Sequence, residues 1–278
     1  MRYRRSHLRE EGEILLFRGH DVYIGSEPEP FPSLSEVQLP EEPLYIGSRG
    51  ERHFFALFLE GEGEGESSEE RRRWVNRRSA FRELRSDSFW ISARAYQLAR
   101  WDRESRYCGR CGSLQERSEE EIAKQCPNCG HREYPRIAPA MIVAVVKDGR
   151  LLMAHAKKHR EGLFSVLAGF VEPGESLEEC VTREVHEESG VELSEINYFA
   201  SQSWPFPYSL MVAFTAVART VEITIDEEEI GEAGWFTPEQ MLELPEIPGA
   251  VSVSRRLIDW FVDSYGDEET RRRHHQRP

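Results

Sequence analysis

The sequence predicts an α+β fold with mixed strands and segregated helices, preceded by a small metal-binding module. Three observations carry this. From Ala138 onward the chain alternates short apolar strands with turns, and one capped helix over residues 176–190 interrupts them. Two closely spaced cysteine pairs precede that region. The first hundred residues hold strand and helix patterns but no chemical motif.

At 278 residues, with 39% hydrophobic and 31% charged residues, the chain is long enough to bury a sizeable core in two domains and a small insert. No apolar run approaches the roughly 20 residues needed to cross a bilayer. The N-terminus, MRYRRSHLREEGEILLF, is basic but has neither a long apolar segment nor a small-residue cleavage site, so a cytoplasmic protein with no membrane partner is expected. A net charge of −14 excludes a broad basic surface for duplex nucleic acid. A polyphosphate ligand would be met locally, by metal ions and a few arginines.

In chain order, Glu13–Phe17 and His53–Leu59 read as strands and Ser88–Trp101 as a helix, with Phe89, Ala93, Leu98 and Trp101 toward the core. Gly61–Glu70 reads as a flexible acidic loop. The run Arg71-Arg72-Arg73 before Trp74 reads as a solvated loop edge rather than an RNA contact. Cys108-Gly-Arg-Cys111 and Cys126-Pro-Asn-Cys129 are separated by fourteen residues. Two such turns can aim four thiolates at one tetrahedral Zn²⁺, a closed shell with a structural and not a catalytic role. A redox dithiol is disfavoured by the glycines and Pro127, which mark zinc-ribbon turns. Cys180, the fifth cysteine, reads as an inert core thiol.

Ala140–Val146 and Leu151–Ala156 flank the turn Lys147-Asp148-Gly149-Arg150 as a hairpin. Phe164–Leu167 leads to the capped helix. Strands follow near Ile196–Ser201, Leu210–Val217 and Glu232–Phe236, and Val251–Val262 closes with a helix. In the first helix, Ser176 and Glu179 have capping-box spacing and Gly190 supplies a left-handed stop. Glu184, Glu187 and Glu188, at i, i+3 and i+4, share an arc of about 100°. Like charges so placed weaken a helix unless a hard cation such as Mg²⁺ or Mn²⁺ binds them. The bland alternative is a solvated acidic helix.

The flanking pattern decides between these. Gly169, Glu175, Arg183, Glu184, Val185, Glu187, Glu188, Gly190 and Val191 match every fixed position of G-x5-E-x7-R-E-U-x-E-E-x-G-U, so the stretch resembles the Nudix box. Ser201-Gln-Ser-Trp-Pro-Phe-Pro-Tyr-Ser209 and Tyr134-Pro135-Arg136 resemble signatures of the NADH pyrophosphatase branch of Nudix hydrolases. The likeness covers residues from about 89 to 264. It implies a Nudix α/β/α sandwich with a mixed sheet, preceded by a zinc ribbon and an α+β N-terminal domain. Boundaries are expected at 1–104, 105–135 and 136–266, with 267–278 a basic, disordered tail.

The resemblance implies metal-dependent hydrolysis of the NAD(H) pyrophosphate to NMN(H) and AMP; some members of the branch remove NAD caps from RNA 5′ ends, and the branch is typically homodimeric. Glu184, Glu187 and Glu188 are assigned to metal binding, with Glu188 or a nearby acid as base. The Ala168 carbonyl and Glu229 complete that shell by resemblance. Arg183 reads as an orienter of the carboxylates with Glu175 as its partner, and Gly169 and Gly190 as support. Glu121, Tyr134, Phe170, Gln202, Ser203, Trp204, Pro205, Phe206, Pro207, Tyr208, Ser209 and Ser254 carry over as substrate-lining positions. Ordinary core is the alternative for Trp204 and Phe206, but three aromatics, counting Tyr208, interleaved with two prolines read as a rigid binding loop. Three residues depart from the family pattern: Ser203 stands for Pro, Ala138 for Asp and Ser254 for Ala. The competing functions are another Nudix pyrophosphatase, for ADP-ribose or dinucleoside polyphosphates, and a non-catalytic zinc-ribbon binding protein, whose sequence mark would be a lost box carboxylate. None is lost.

Overall fold

A computed structural model describes residues 11–26, 28–60 and 72–277. The acidic stretch Gly61–Glu70, read as a loop, lies outside the described residues, as does the basic start of the chain. The chain divides into two units, 1–136 and 137–278.

The N-terminal unit is built on a five-stranded sheet in the order β3-β4-β1-β2-β5. Its strands are β1 Glu13–Arg18, β2 Asp21–Gly25, β3 Leu44–Arg49, β4 Arg52–Phe58 and β5 Arg72–Asn76, with β1 and β4 parallel. Alternation sorts the side chains: Ile14 and Leu16 join Tyr45, Phe55 and Leu57 in one cluster. Phe17 packs against Tyr96 of the helix α2, Ser86–Glu104, at a ring separation of 5.4 Å. A single turn, α1 Ala80–Glu83, precedes that helix. Of the arginine run expected at a solvated edge, Arg71 lies outside the described residues and Arg72 and Arg73 are instead part of the sheet. β5 pairs with β2, Arg72 bonds Glu36 and the Phe31 carbonyl, and Arg73 bonds Glu83. Trp74 supplies the apolar anchor that the loop reading overlooked, with Arg18 lying 4.5 Å above its ring. Short strands β6 Glu116–Arg117, β7 Lys124–Gln125 and β8 Arg132–Glu133 form the ribbon that carries the cysteines.

The C-terminal unit has a six-stranded mixed sheet. Its path is β12-β13-β9-β10-β14, with β11 pairing β9. The strands are β9 Ala138–Lys147, β10 Arg150–Ala156, β11 Leu167–Phe170, β12 Leu193–Trp204, β13 Ser209–Ala218 and β14 Ile230–Phe236. β9 and β13 are parallel, so the sheet is mixed as expected. Along β9 the period of two is explicit. Met141, Val143 and Val145 pack with Cys180, Val181 and Val185 of helix α3, Leu177–Ser189. Ile142, Ala144 and Val146 pack on the other face with Leu257, Ile258 and Phe261 of helix α5, Val253–Tyr265, and with Met241 of the short helix α4, Pro238–Met241. A sheet buried on both faces by helices is an α/β/α sandwich.

The tail reading needs correction. Residues Glu268–His275 form helix α6, capped by Asp267, whose side chain accepts from the Thr270 N–H at 2.8 Å. His274 is fully buried and its Nε2 lies 2.7 Å from Asp259 on α5. Arg255, also buried, bonds Asp259 at 2.8 Å and the Arg277 carbonyl at 3.1 Å. Composition alone marked this stretch as basic and solvated; the partner that orders it sits on a different helix.

Candidate active site and zinc centre

The ribbon cysteines are brought together. Their four sulfurs lie within 4.8 Å of one another, with Cys108–Cys129 at 3.7 Å and Cys111–Cys126 at 3.4 Å. The edges of a tetrahedral zinc–thiolate site measure about 3.8 Å. Each pair ends in a glycine with a left-handed backbone, Gly112 at φ 74° and Gly130 at φ 70°. Their N–H groups donate to the Cys108 and Cys126 carbonyls at 2.8 and 2.9 Å, closing two equivalent knuckles. The donor set is that of a structural Zn²⁺ site. Tyr134 and Glu121 belong to the same unit, where the tyrosine hydroxyl donates to Glu121 at 3.1 Å and Arg132 pairs with that carboxylate at 3.0 Å.

In the C-terminal unit, the acid-bearing helix α3 is held at both ends as its sequence demands. Ser176 accepts from the Glu179 N–H, Glu179 accepts from the Ser176 N–H at 2.8 Å, and Gly190 takes φ 70°. Gly169 on β11 faces the helix so closely that an added Cβ would lie 1.9 Å from the carboxyl carbon of Glu184. A side chain there would displace that carboxylate from its place against the strand. Arg183 gathers the box: it bonds Glu175 at 2.7 and 3.0 Å, Glu184 at 3.0 Å, Glu187 at 2.9 Å and the Phe170 carbonyl at 3.0 Å. The guanidinium holds the Glu175 carboxyl down at about 2, helped by the Glu172 N–H.

Glu188 is buried, and burial, reinforced by the charges of Glu184, Glu229 and Asp226, pushes its carboxyl up to about 7 against the opposing pull of Lys158. Glu184 is shifted upward for the same first reason, with Arg183 opposing. Carboxylates in this state are under-neutralised by the protein itself, which is how a divalent-cation site looks to its own ligands. The Gly169 cradle and the charge around Glu188 suit a divalent ion, although among the described residues only the four cysteines have their ligand atoms within 4.8 Å of one another. Cys180, by contrast, is fully buried and its thiol is pushed up to about 11 by burial, as an inert core cysteine should be.

A cavity of about 240 Å³ opens beside Glu188. Ala168, Gln202, Trp204 and Ser254 line it over an apolar floor that includes Ile142 and Met211. Gln202 is fixed by two 2.7 Å bonds, to the Val251 carbonyl and from the Val253 N–H, which tie β12 to the start of α5. The Ser254 hydroxyl lies 2.8 Å from that of Ser165. Ser203 and Trp204 end β12, Ser209 starts β13 opposite Trp204, and Pro205 to Tyr208 form the turn between them. Trp204 and Phe206 meet edge to face at 5.2 Å. Phe170 is exposed at the end of β11. Glu229 lies in the turn before β14, its carbonyl accepting from Lys157 N–H at 2.8 Å.

Sequence reasoning missed Lys158, Asp226 and Ser165. Lys158 lines the cavity and is the cation that pulls on Glu188. Its signal was present, since the chain has few lysines and two of them, Lys157 and Lys158, stand between the hairpin and the box. Ser165, four residues before Gly169, falls on no fixed position of the motif, and Asp226 is brought near by a turn far from the box in sequence.

An α/β/α sandwich that aims a capped acidic helix at a glycine-cleared strand, beside a cavity, defines a Nudix hydrolase domain. Comparison with known proteins narrows the class. Residues 135–261 match the NUDIX domain, 103–134 the NADH pyrophosphatase zinc ribbon domain, and 11–101 the NADH pyrophosphatase-like rudimentary NUDIX domain. The chain is 37% identical over 250 residues to an NAD-capped RNA hydrolase NudC of Haemophilus influenzae, covering 89% of this chain and 91% of that protein. It is 44% identical over 176 residues to the NAD-capped RNA hydrolase NudC of Pseudomonas aeruginosa, covering 63% of this chain but only 62% of that relative's length. Among solved structures, a NUDIX hydrolase from Nitrosomonas europaea aligns with a TM-score of 0.49 at 21% identity, over 62% of this chain and 94% of that one. The chain belongs to the NADH pyrophosphatase family of Nudix hydrolases.

Among the described residues, no helix is long and apolar enough to cross a membrane.

Proposed function

We propose that this chain hydrolyses the pyrophosphate of NAD(H) to NMN(H) and AMP, and removes NAD from the 5′ end of capped RNA. The observation that carries the reading is the buried, under-neutralised Glu188 beside Glu184 at the mouth of a cavity lined by Gln202 and Trp204. The relatives' activity toward NAD-capped RNA supports the same substrate class.

Glu184, Glu187, Glu188, Glu229 and the Ala168 carbonyl would hold Mg²⁺ or Mn²⁺. The ion, when bound, offsets phosphate charge and lowers the pKa of a bound water. The protein's own share is positional. Arg183 holds Glu184 and Glu187 in register, a role that supports ligands rather than touching substrate. Gln202, tied to α5, fixes one wall of the cavity, and Trp204, Phe206 and exposed Phe170 offer flat apolar faces to the dinucleotide rings. Lys158 supplies a cation beside the carboxylates for a phosphate oxygen. A net charge of −14 disfavours general RNA affinity, while a capped 5′ end needs few phosphate contacts.

The assembly is a cytoplasmic homodimer in which the Trp204–Tyr208 turn serves the neighbouring site. Family resemblance supports that arrangement, and light scattering on the zinc-loaded protein checks it. The decisive experiment is competitive turnover of NADH, NAD⁺, ADP-ribose and NAD-capped RNA with Mg²⁺ or Mn²⁺. AMP and NMN(H) are expected from the NAD substrates. Cleavage of ADP-ribose with NADH left intact would sink the assignment.

A further inference from the structure

The N-terminal unit contains a cavity of about 720 Å³, walled by the end of β4, the last turns of α2 and the ribbon. Pockets of this size hold small organic ligands. In a chain of net charge −14, its lining reverses the sign: five cationic side chains, Arg18, Arg103 and Arg106 among them, face three carboxylates. One of those carboxylates, Asp102, is already engaged by Arg117 at 2.7 Å and Lys124 at 3.2 Å. Leu59 and the exposed Leu114 give the cavity an apolar wall, while the buried Phe58 ring is covered by the Arg103 guanidinium at 4.2 Å.

Two buried polar atoms of the lining have no partner. Gln115 is 7% exposed, and its Nε2 donates to the Ser105 carbonyl at 3.1 Å and to Glu133 at 2.9 Å. That fixes the amide so that Oε1 is left as an unpaired acceptor. Arg18 Nε is an unpaired donor. Buried groups of this kind are ordinarily satisfied, and an exception inside a lined cavity marks a place for a ligand. The missing molecule must be anionic for the guanidinium groups, must carry an N–H or O–H donor for Gln115, and must present an apolar face to Leu59 and Leu114. Free hydrogen phosphate carries an O–H donor but has no apolar face.

We propose that this cavity binds a nucleoside monophosphate, its phosphate held by Arg18, Arg103 and Arg106 and its base or ribose donor by Gln115. None of these residues is assigned to hydrolysis, and the site needs no divalent ion, so it stands whether or not the proposed reaction is correct. The test is isothermal titration of AMP into zinc-loaded, full-length protein without added Mg²⁺ or Mn²⁺, with hydrogen exchange to locate the bound nucleotide. Binding should protect residues 99–117. Arg106→Gln, at an exposed position, should weaken it about tenfold, the scale of one lost charge-assisted contact. NADH turnover by that variant at saturating substrate should be unchanged. Protection confined to the C-terminal unit would overturn the proposal, as would an Arg106→Gln affinity equal to wild type. Displacement of AMP by an equal concentration of inorganic phosphate would overturn the nucleotide assignment.

Discussion

Helices α2 and α3 each lie on a sheet, yet they use their surfaces in opposite ways. α2 buries residues around most of its circumference, Phe89, Ile91, Tyr96, Leu98 and Trp101 among them, so its stability comes from packing. α3 is shorter, buries a stripe of Cys180, Val181 and Val185, and leaves Glu184, Glu187 and Glu188 on an adjoining face. Such a face opposes the helix it stands on. Its cost is offset by a capping box, a left-handed glycine stop and one arginine that touches three glutamates. A helix devoted to chemistry needs local devices that a helix devoted to packing can omit; α2 has no side-chain cap bond at its N-terminus.

The contrast can be broken by substitution. Phe89→Ala on α2 should cost roughly 3–5 kcal/mol of unfolding free energy, the range for a buried aromatic. Urea denaturation of the zinc-loaded protein measures this, and a loss below 1 kcal/mol would mean that α2 is not held by its packing. Glu188→Gln on α3 should do the reverse. Removing a charge that burial and Glu184 disfavour leaves stability equal or higher, while kcat on NADH falls about 10²- to 10³-fold. A Glu188→Gln enzyme with full kcat would remove α3 from the chemistry.

Arg183 tests the middle of the comparison. Its fork meets Glu175 bidentately and still reaches Glu184 and Glu187. Lysine keeps the charge but cannot span these partners. Arg183→Lys should therefore weaken Mn²⁺ affinity or lower activity by about 10- to 100-fold, the usual effect of losing a residue that orients metal ligands. Titration of Mn²⁺ by its electron-spin signal separates that effect from unfolding, and wild-type affinity would show that Arg183 is only a surface ion pair.

What was legible in the sequence follows the same divide. The box helix, its caps and the four cysteines depend on spacing within a few residues, and each was readable. The strands of the C-terminal sheet were readable because burial on both faces leaves long apolar runs such as Ala140–Val146. The arginine-rich β5 and α6 were misread because their ordering partners, Glu36, Glu83 and Asp259, are remote in the chain. Lys158 and Asp226 belong to the acidic cluster only through the fold. Gly169 was recognised as a motif position, but its reason, clearance for Glu184, is a distance across two elements.

The smallest expected effect concerns α6, which, unlike α3, is anchored by charge at a distance. Burial raises the Asp259 carboxyl, but bonds from His274 and Arg255 outweigh it and hold the group below its ordinary value. A carboxylate so depressed stabilises the fold fully above its unfolded pKa, near 4, and loses that contribution as pH falls through the lower folded value. Asp259→Asn removes the charge at every pH. Wild type should exceed this variant by on the order of 1.5 kcal/mol at pH 7, as for one buried charge-assisted bond. The gap should close as both are titrated below pH of about 4, where the wild-type carboxyl takes up its proton. Urea midpoints at a series of pH values read this directly. A gap that stays constant down to about pH 3 would assign the difference to packing, and α6 would then be held as α2 is.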